Sequence, residues 1–103
     1  MVGDELWGNV YPMYQRKYSE CVVRIEPHSG KVLGWIDMHG LFDRQAPSVR
    51  RGPSHYVLNG IAYHANSNRL YVTGKQWDHM YQIRVKEAPE LDEAHVNRVC
   101  NLG

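Results

Sequence analysis

The sequence predicts an all-β chain, two successive groups of short antiparallel strands followed by a short helix. Three observations carry that prediction. Apolar and polar residues alternate with a period of two through most of the chain, clusters of Pro, Gly, Ser and Asn separate the alternating segments, and the order of elements near the start recurs near the end. With 103 residues there is room for about one small domain, one that buries only about two-thirds of its unfolded surface.

Taken in order, Glu5 to Tyr11 (ELWGNVY) and Cys21 to Glu26 (CVVRIE) read as strands. The stretch "EPHSGK" then turns the chain into Val32 to Met38 (VLGWIDM), so these two strands form a hairpin. Phe42 to Ser54 contains "DRQAPSVRRGPS", with two prolines, a glycine and three arginines, and reads as a long surface loop. Loops of that length are usually functional or disordered. Leu58 to His64 is a strand, "ANSN" a tight turn, Arg69 to Gly74 a strand, and Met80 to Lys86 another. From Pro89, "PELDEAHVNRV" has proline and acidic residues early and Arg98 late, the polarity a helix dipole favours, which predicts a C-terminal helical tail over 89–103 after a strand-built region 1–88.

The repeat is weak residue by residue but consistent in order. Leu6-Trp7-Gly8-Asn9-Val10-Tyr11 aligns with Leu70-Tyr71-Val72-Thr73-Gly74-Lys75, and Cys21 to Ile25 then falls near Tyr81 to Val85 with a shift of four residues. The first copy carries an insert, "PMYQRKYSE". Repeated units of four short antiparallel strands are the mark of a β-propeller. On that reading Glu5 to Met38 supplies the last three strands of one blade and Leu58 to Lys86 the first three of the next. About two blades cannot close a ring, so the expectation is a C-terminal portion of a larger protein or a truncated product. The competing reading is an ordinary antiparallel meander without rotational symmetry.

Charge and composition narrow the partners. Twelve Lys+Arg against eleven Asp+Glu give a net charge of +1, which leaves no electrostatic footprint for nucleic acid or an anionic membrane. No window approaches the roughly 18 apolar residues of a membrane span, and the first residues, Met1 to Glu5, lack the regions of a signal peptide. The six histidines are scattered without HxH or HxxxH spacing, so neither a metal nor a cofactor is expected. Cys21 and Cys100 lack CxxC spacing; they could pair if the tail folds back on the sheet, but two buried or half-buried thiols are the better expectation.

Three phrases, "LWGNVY", "CVVRIEPHSGKVLGWIDMHGL" and "VLNGIAYHANSNRLYVTGKQW", together resemble the plant-type glutaminyl cyclases, the glutaminyl-peptide cyclotransferases of plants, algae and some bacteria. They cover most of Leu6 to Val85 in the family's order. The resemblance implies a five-bladed propeller that converts an N-terminal glutaminyl residue to pyroglutamate with loss of ammonia, without the catalytic zinc of the animal enzymes. It also implies a secretory or extracellular location, where a Cys21 to Cys100 bridge would gain credibility.

In that reaction the substrate's α-amine attacks its own side-chain amide carbon. The enzyme must accept a proton from the amine, stabilise charge on the amide oxygen, and protonate departing ammonia. A carboxylate suits the shuttle, and a lysine or asparagine suits the oxyanion. Carried over by position, Lys75 of "TGK" matches the family's functional lysine; from residues alone it would be an edge lysine guarding a strand end. Tyr11 stands where the family pattern usually has a pocket tryptophan, so the aromatic wall is kept and the indole is not. Asn9 and Asn59 either face the substrate or serve turns and strand ends. Trp35 and Trp77 either line a pocket or, as large aromatics on a sheet more often do, fill the core.

One part is missing by the same comparison. The family's catalytic glutamate lies in earlier blades, and Glu5, Glu20 and Glu26 lie in the wrong motifs to replace it. The expected partner is therefore an N-terminal glutaminyl peptide acted on only when further blades, or another chain, complete the ring. A non-catalytic binding module is the alternative, contacting a protein through the Pro12 to Glu20 insert and the loop carrying Arg44, Arg50 and Arg51. Unpaired edge strands also predict an isolated chain that is poorly soluble or oligomeric.

Overall fold

The alternating segments form two separate three-stranded antiparallel sheets. The computed structural model describes residues 1–10, 13–14, 17–52, 57–89 and 91–100. Sheet I joins β1 (Leu6–Asn9), β4 (Cys21–Ile25) and β5 (Val32–Asp37) in that order; between β1 and β4 the two-residue strands β2 (Met13–Tyr14) and β3 (Lys17–Tyr18) pair with each other. Sheet II joins β6 (Leu58–His64), β7 (Arg69–Gly74) and β8 (Tyr81–Ile83). Both are simple meanders, and they do not close into a ring. The expected strands are present but shorter at the first and last positions, and the small β2–β3 pair inside the insert was not foreseen.

Turn chemistry sets the registers. In "EPHSGK" the Glu26 carboxylate accepts hydrogen bonds from the His28 and Ser29 N–H groups and the Ser29 hydroxyl, while Gly30 takes φ +74° and donates to the Glu26 carbonyl. That positive φ suits glycine, and the turn aligns Ile25 with Val32. In "ANSN", Asn68 takes φ +54° and its side-chain oxygen accepts from the Tyr63 hydroxyl at 2.7 Å. A short amide side chain that tolerates the left-handed region is well suited there.

Sheets I and II face each other across one core. Val22 and Ile36 from sheet I, with Met38 just past β5, meet Leu58 and Val72 from sheet II, with Trp7, Leu41, Ile61, Trp77, Tyr81 and Ile83 packed around them. Leu58 and Ile61 are three residues apart, so a regular strand would send them to opposite faces. A β-bulge between Leu58 and Gly60 resets the phase: Leu58 pairs with Gly74, Gly60 with Thr73 and Ile61 with Val72. Asn59 is the residue left exposed in that bulge.

The register also corrects the internal repeat. Leu6 pairs with Ile25 and Leu70 pairs with Ile83, so the equivalent of Ile25 is Ile83 and not Val85. The two copies are offset two residues further than the sequence alignment suggests, because the insert is accommodated entirely between β1 and β4. The equivalence is one of position in the sheet, not of burial: Leu6 is exposed whereas Leu70 is buried.

The segment expected to be a long surface loop is docked instead. A 3₁₀ turn (Phe42–Arg44) leads into one turn of helix, α1 (Pro47–Arg50), started by proline at a position where no N–H is needed. Gln45 and Val49 are buried. Gln45 Nε2 donates to the Leu41 carbonyl at 2.8 Å and to the Tyr81 hydroxyl at 2.7 Å, and Arg50 Nε donates to the Gln45 carbonyl at 2.8 Å. Ala46 N–H reaches Asp78 Oδ1 at 3.1 Å. Long-range partners on sheet II thus absorb polar groups that local composition assigns to solvent.

At the other end of the chain, α2 (Glu93–Val99) begins later than Pro89, because Asp92 caps it by accepting the His95 N–H at 2.9 Å. Cys100 ends the helix and is joined to Cys21 by a disulfide. The expectation of two free thiols is therefore corrected: the tail does fold back, onto the face of sheet I opposite the core. A cross-link closing a loop with a sequence separation of 79 restricts the unfolded chain by about 4–5 kcal/mol in the chain-entropy account.

Candidate functional site

The site residues named from sequence fall into three places. At the end of β7 the backbone makes a tight turn, Gly74-Lys75-Gln76-Trp77, closed by Trp77 N–H donating to the Gly74 carbonyl at 3.2 Å. Lys75 is at its corner, exposed, and its N–H is held by the Val57 carbonyl at 2.9 Å. Gln76 takes φ +60°, a left-handed conformation that a glutamine adopts at a cost of order 1 kcal/mol. The turn therefore stores strain beside the lysine it presents.

The same turn folds Trp77 back over Gly74. A Cβ on Gly74 would sit inside the indole of Trp77, so only glycine admits this close approach. The indole is flanked by Phe42, with centroids 6.4 Å apart, and meets Tyr81 edge-on at 6.5 Å. Trp77 consequently belongs to the inter-sheet core, with Lys75 standing outside it. Thr73, one residue before the turn, donates its hydroxyl to the His79 carbonyl at 2.9 Å, which fixes the chain leaving it.

Asn59 lies in the bulge of β6 next to Leu58, the partner of Gly74, so Asn59 and Lys75 share one end of sheet II. Asn9 ends β1 opposite Val22, a core residue. Its side-chain Nδ2 is shut off from solvent and has no acceptor among the described residues. Asn9 and Trp77 thus border the same core, and β1 and β6 are neighbours.

Trp35 does not join them. It pairs with Val23 on the outer face of sheet I, the face that carries Cys21 and Asp37, and so is outside the core cluster. Tyr11 lies outside the described residues. Sequence reasoning missed Gln76 and the Gln45–Tyr81 pair; the signal for the first was present, a glycine and a tryptophan spaced to bracket a two-residue corner.

Glu5, Glu26, Asp78 and Glu20 are committed elsewhere. Glu5 accepts from Arg24 Nε at 2.8 Å, Arg24 Nη2 at 2.7 Å and Trp7 Nε1 at 2.9 Å. The Arg24 hydrogen bonds, then that of Trp7, hold its carboxyl at about 2, down from an ordinary 4.5. Glu26 is lowered by the Ser29 hydroxyl and the turn N–H groups, and Asp78 by the Ala46 N–H and then by His79. Glu20 pairs with His39 at 3.0 Å. A carboxylate kept ionised by fixed donors resists taking up a proton, which suits none of the first three to shuttle one.

Residues 1–85 match the glutamine cyclotransferase family. The chain is 37% identical over 99 residues to the glutaminyl-peptide cyclotransferase of Arabidopsis thaliana, a match that covers 96% of this chain and 28% of that protein. It therefore spans less than a third of this relative's length. With residues 1–85 matched out of 103, the chain belongs to the glutamine cyclotransferase family.

Proposed function

We propose that this chain is part of a glutaminyl-peptide cyclotransferase of propeller architecture and contributes the oxyanion-binding side of its site. The observation that carries the reading is the strained corner at the end of β7, which presents the exposed Lys75 within a chain of this family. Strain of this kind persists where the surrounding structure over-determines it, and functional sites are a common reason.

In the proposed reaction the substrate's α-amine forms a bond to its own side-chain amide carbon and charge builds on the amide oxygen. The exposed ammonium of Lys75 is the donor suited to that oxygen. Collapse of the intermediate breaks the bond to the amide nitrogen, which leaves as ammonia with the proton taken from the amine. Asn59 contributes polar surface beside Lys75, and Tyr11 an aromatic wall. Glu5 and Glu26 are tied into their own clasps, and the carboxylate that moves the proton is one the family carries in its earlier blades. Trp77 acts from behind the turn by holding its shape, and Trp35 has no part.

A chimera tests this. Replacing the matched segment of the Arabidopsis protein with this chain is expected to yield an enzyme that releases ammonia from a glutaminyl peptide and leaves pyroglutamate. Lys75→Ala in the chimera is expected to lower kcat/KM by about 10²–10³, the usual effect of removing one oxyanion donor. The 103-residue chain alone is expected to show no turnover. Turnover by the chain alone, a folded but inert chimera, or a fully active Lys75→Ala chimera would each overturn the proposal.

A further inference from the structure

The C-terminal helix is attached to the rest of the protein in an unusual way. α2 has seven residues, none of them buried, and lies against β5. A helix this short is not stable by itself in water, since nucleation is unfavourable and too few hydrogen bonds follow. Its position is set by two anchors. His95 Nε2 meets Asp37 Oδ2 at 3.0 Å, and Cys100 is bonded to Cys21. Asp37 and Cys21 face each other across the β4–β5 ladder, so both anchors grip one cross-strand row on the outer face of sheet I.

The two anchors are unequal. The His95–Asp37 contact is partly exposed, where a single polar pair contributes little. Cys21 and Cys100 are 1% and 2% exposed, and the bond holds the helix end at Cys21 however the remainder fluctuates. Apolar packing, the usual source of helix stability in a protein, is limited within α2 to the half-buried Val96 and Val99.

We propose that α2 is a redox-conditional strap: it covers the Cys21–Asp37 row of sheet I only while the Cys21–Cys100 bond stands, and thiol reduction releases it without unfolding the sheets. The chemistry is thiol–disulfide exchange with a dithiol reductant. A thiolate of the reductant attacks one sulfur, the other leaves as a cysteine thiolate, and the second reductant sulfur resolves the mixed disulfide. Two electrons and two protons pass to Cys21 and Cys100, and the reductant becomes a cyclic disulfide. Because both sulfurs are buried, the attack waits on fraying of the helix end at Cys100. Reduction removes the cross-link's restriction on the unfolded chain, but the core around Val22, Ile36 and Val72 lies on the opposite face of sheet I and keeps its contacts.

Hydrogen exchange read by mass spectrometry tests the strap, using the purified full chain before and after dithiothreitol, with alkylation to count thiols. Before reduction no thiol is expected to alkylate and the amides of 93–99 are expected to be protected. After reduction two thiols are expected to alkylate, protection over 93–99 is expected to fall to the rate of an unstructured peptide, and β4, β5 and β7 are expected to keep theirs. Tryptic cleavage after Arg98 is expected to quicken on the order of tenfold. Cys100→Ser should reproduce the reduced state without reductant, which separates loss of the bond from any effect on the buried Cys21. Unchanged protection of 93–99 in Cys100→Ser would show that packing holds the helix. Loss of protection throughout the sheets would show a global staple, and free thiols in oxidised protein would remove the bond itself; each overturns the proposal.

Discussion

Substituting Gly74 by alanine adds one methyl group at a glycine crowded more tightly than Gly8, Gly34 or Gly60. Its Cβ would occupy space held by the Trp77 indole, so the ring must move. Overpacking of this kind costs about 1–3 kcal/mol. The displaced indole also loses its contacts with Phe42 and Tyr81, aromatic pairs contributing about 0.5–1.5 kcal/mol each. A total of about 2–6 kcal/mol is a large share of the roughly 5–15 kcal/mol that stabilises a small domain. Urea unfolding followed by tryptophan fluorescence would read it as a lower midpoint at unchanged slope. The double substitution with Trp77→Ala supplies the decisive control. With the ring removed, the added methyl should cost nothing or stabilise slightly, so the cycle should show a coupling of about 2 kcal/mol or more. Additive effects would refute the claim that Gly74 exists to admit Trp77. Gly60→Ala is the milder companion: its Cβ would meet the Thr73 methyl at 3.1 Å, a side-chain tip that can give way, so about 1 kcal/mol or less is expected.

Acidification should weaken the Glu5–Arg24 clasp. The folded value of Glu5, about 2, lies below its ordinary 4.5, so the stabilisation is complete above 4.5 and disappears as pH falls towards 2. The full shift would correspond to about 3.4 kcal/mol, but the side chains are 35% and 23% exposed for Arg24 and Glu5, which reduces it to about 1–2 kcal/mol. Glu5→Gln should cost that much at neutral pH and only a few tenths of a kcal/mol at pH 2 in denaturant titrations; a constant difference across that range would count against the clasp. Gln45→Leu should destabilise by about 1–3 kcal/mol, because it strips the Leu41 carbonyl and the Tyr81 hydroxyl of their donor. Adding Tyr81→Phe should recover part of that loss, and failure to recover any would mean that the hydroxyl is satisfied elsewhere.

Local patterns in the sequence carried the strands, because alternation and turn chemistry act over a few residues. Val22 and Ile36 alternate correctly into the core, and Glu26 and Gly30 make their turn from within "EPHSGK". Features set by distant partners were not legible. Gln45 reads as a loop residue until Tyr81, 36 residues away, takes its amide. The bulge at Asn59 is invisible without Thr73 and Gly74 across the ladder, yet it decides which face Leu58 takes. The Cys21–Cys100 pairing depends on where the tail lies in space, which spacing does not encode. For the candidate site, the "TGK" phrase pointed to Lys75, while the reason for its neighbours, a glycine that admits an indole and a glutamine in a left-handed corner, needed coordinates.

The bond between Cys21 and Cys100 also decides how the molecule would bear tension. A pull applied between residue 1 and residue 100 travels along β1 and the insert to Cys21 and crosses directly to Cys100 through the two sulfurs. Everything from Val22 to Val99, including all of sheet II and the corner that carries Lys75, lies off that path. The β1–β4 ladder, held by the pairing of Leu6 to Ile25 through Asn9 to Val22, would be sheared, and the Glu5–Arg24 clasp and the β2–β3 pair lie on the same path. In the oxidised chain the region around Lys75 is mechanically insulated from its ends; in the reduced chain the same pull would reach it.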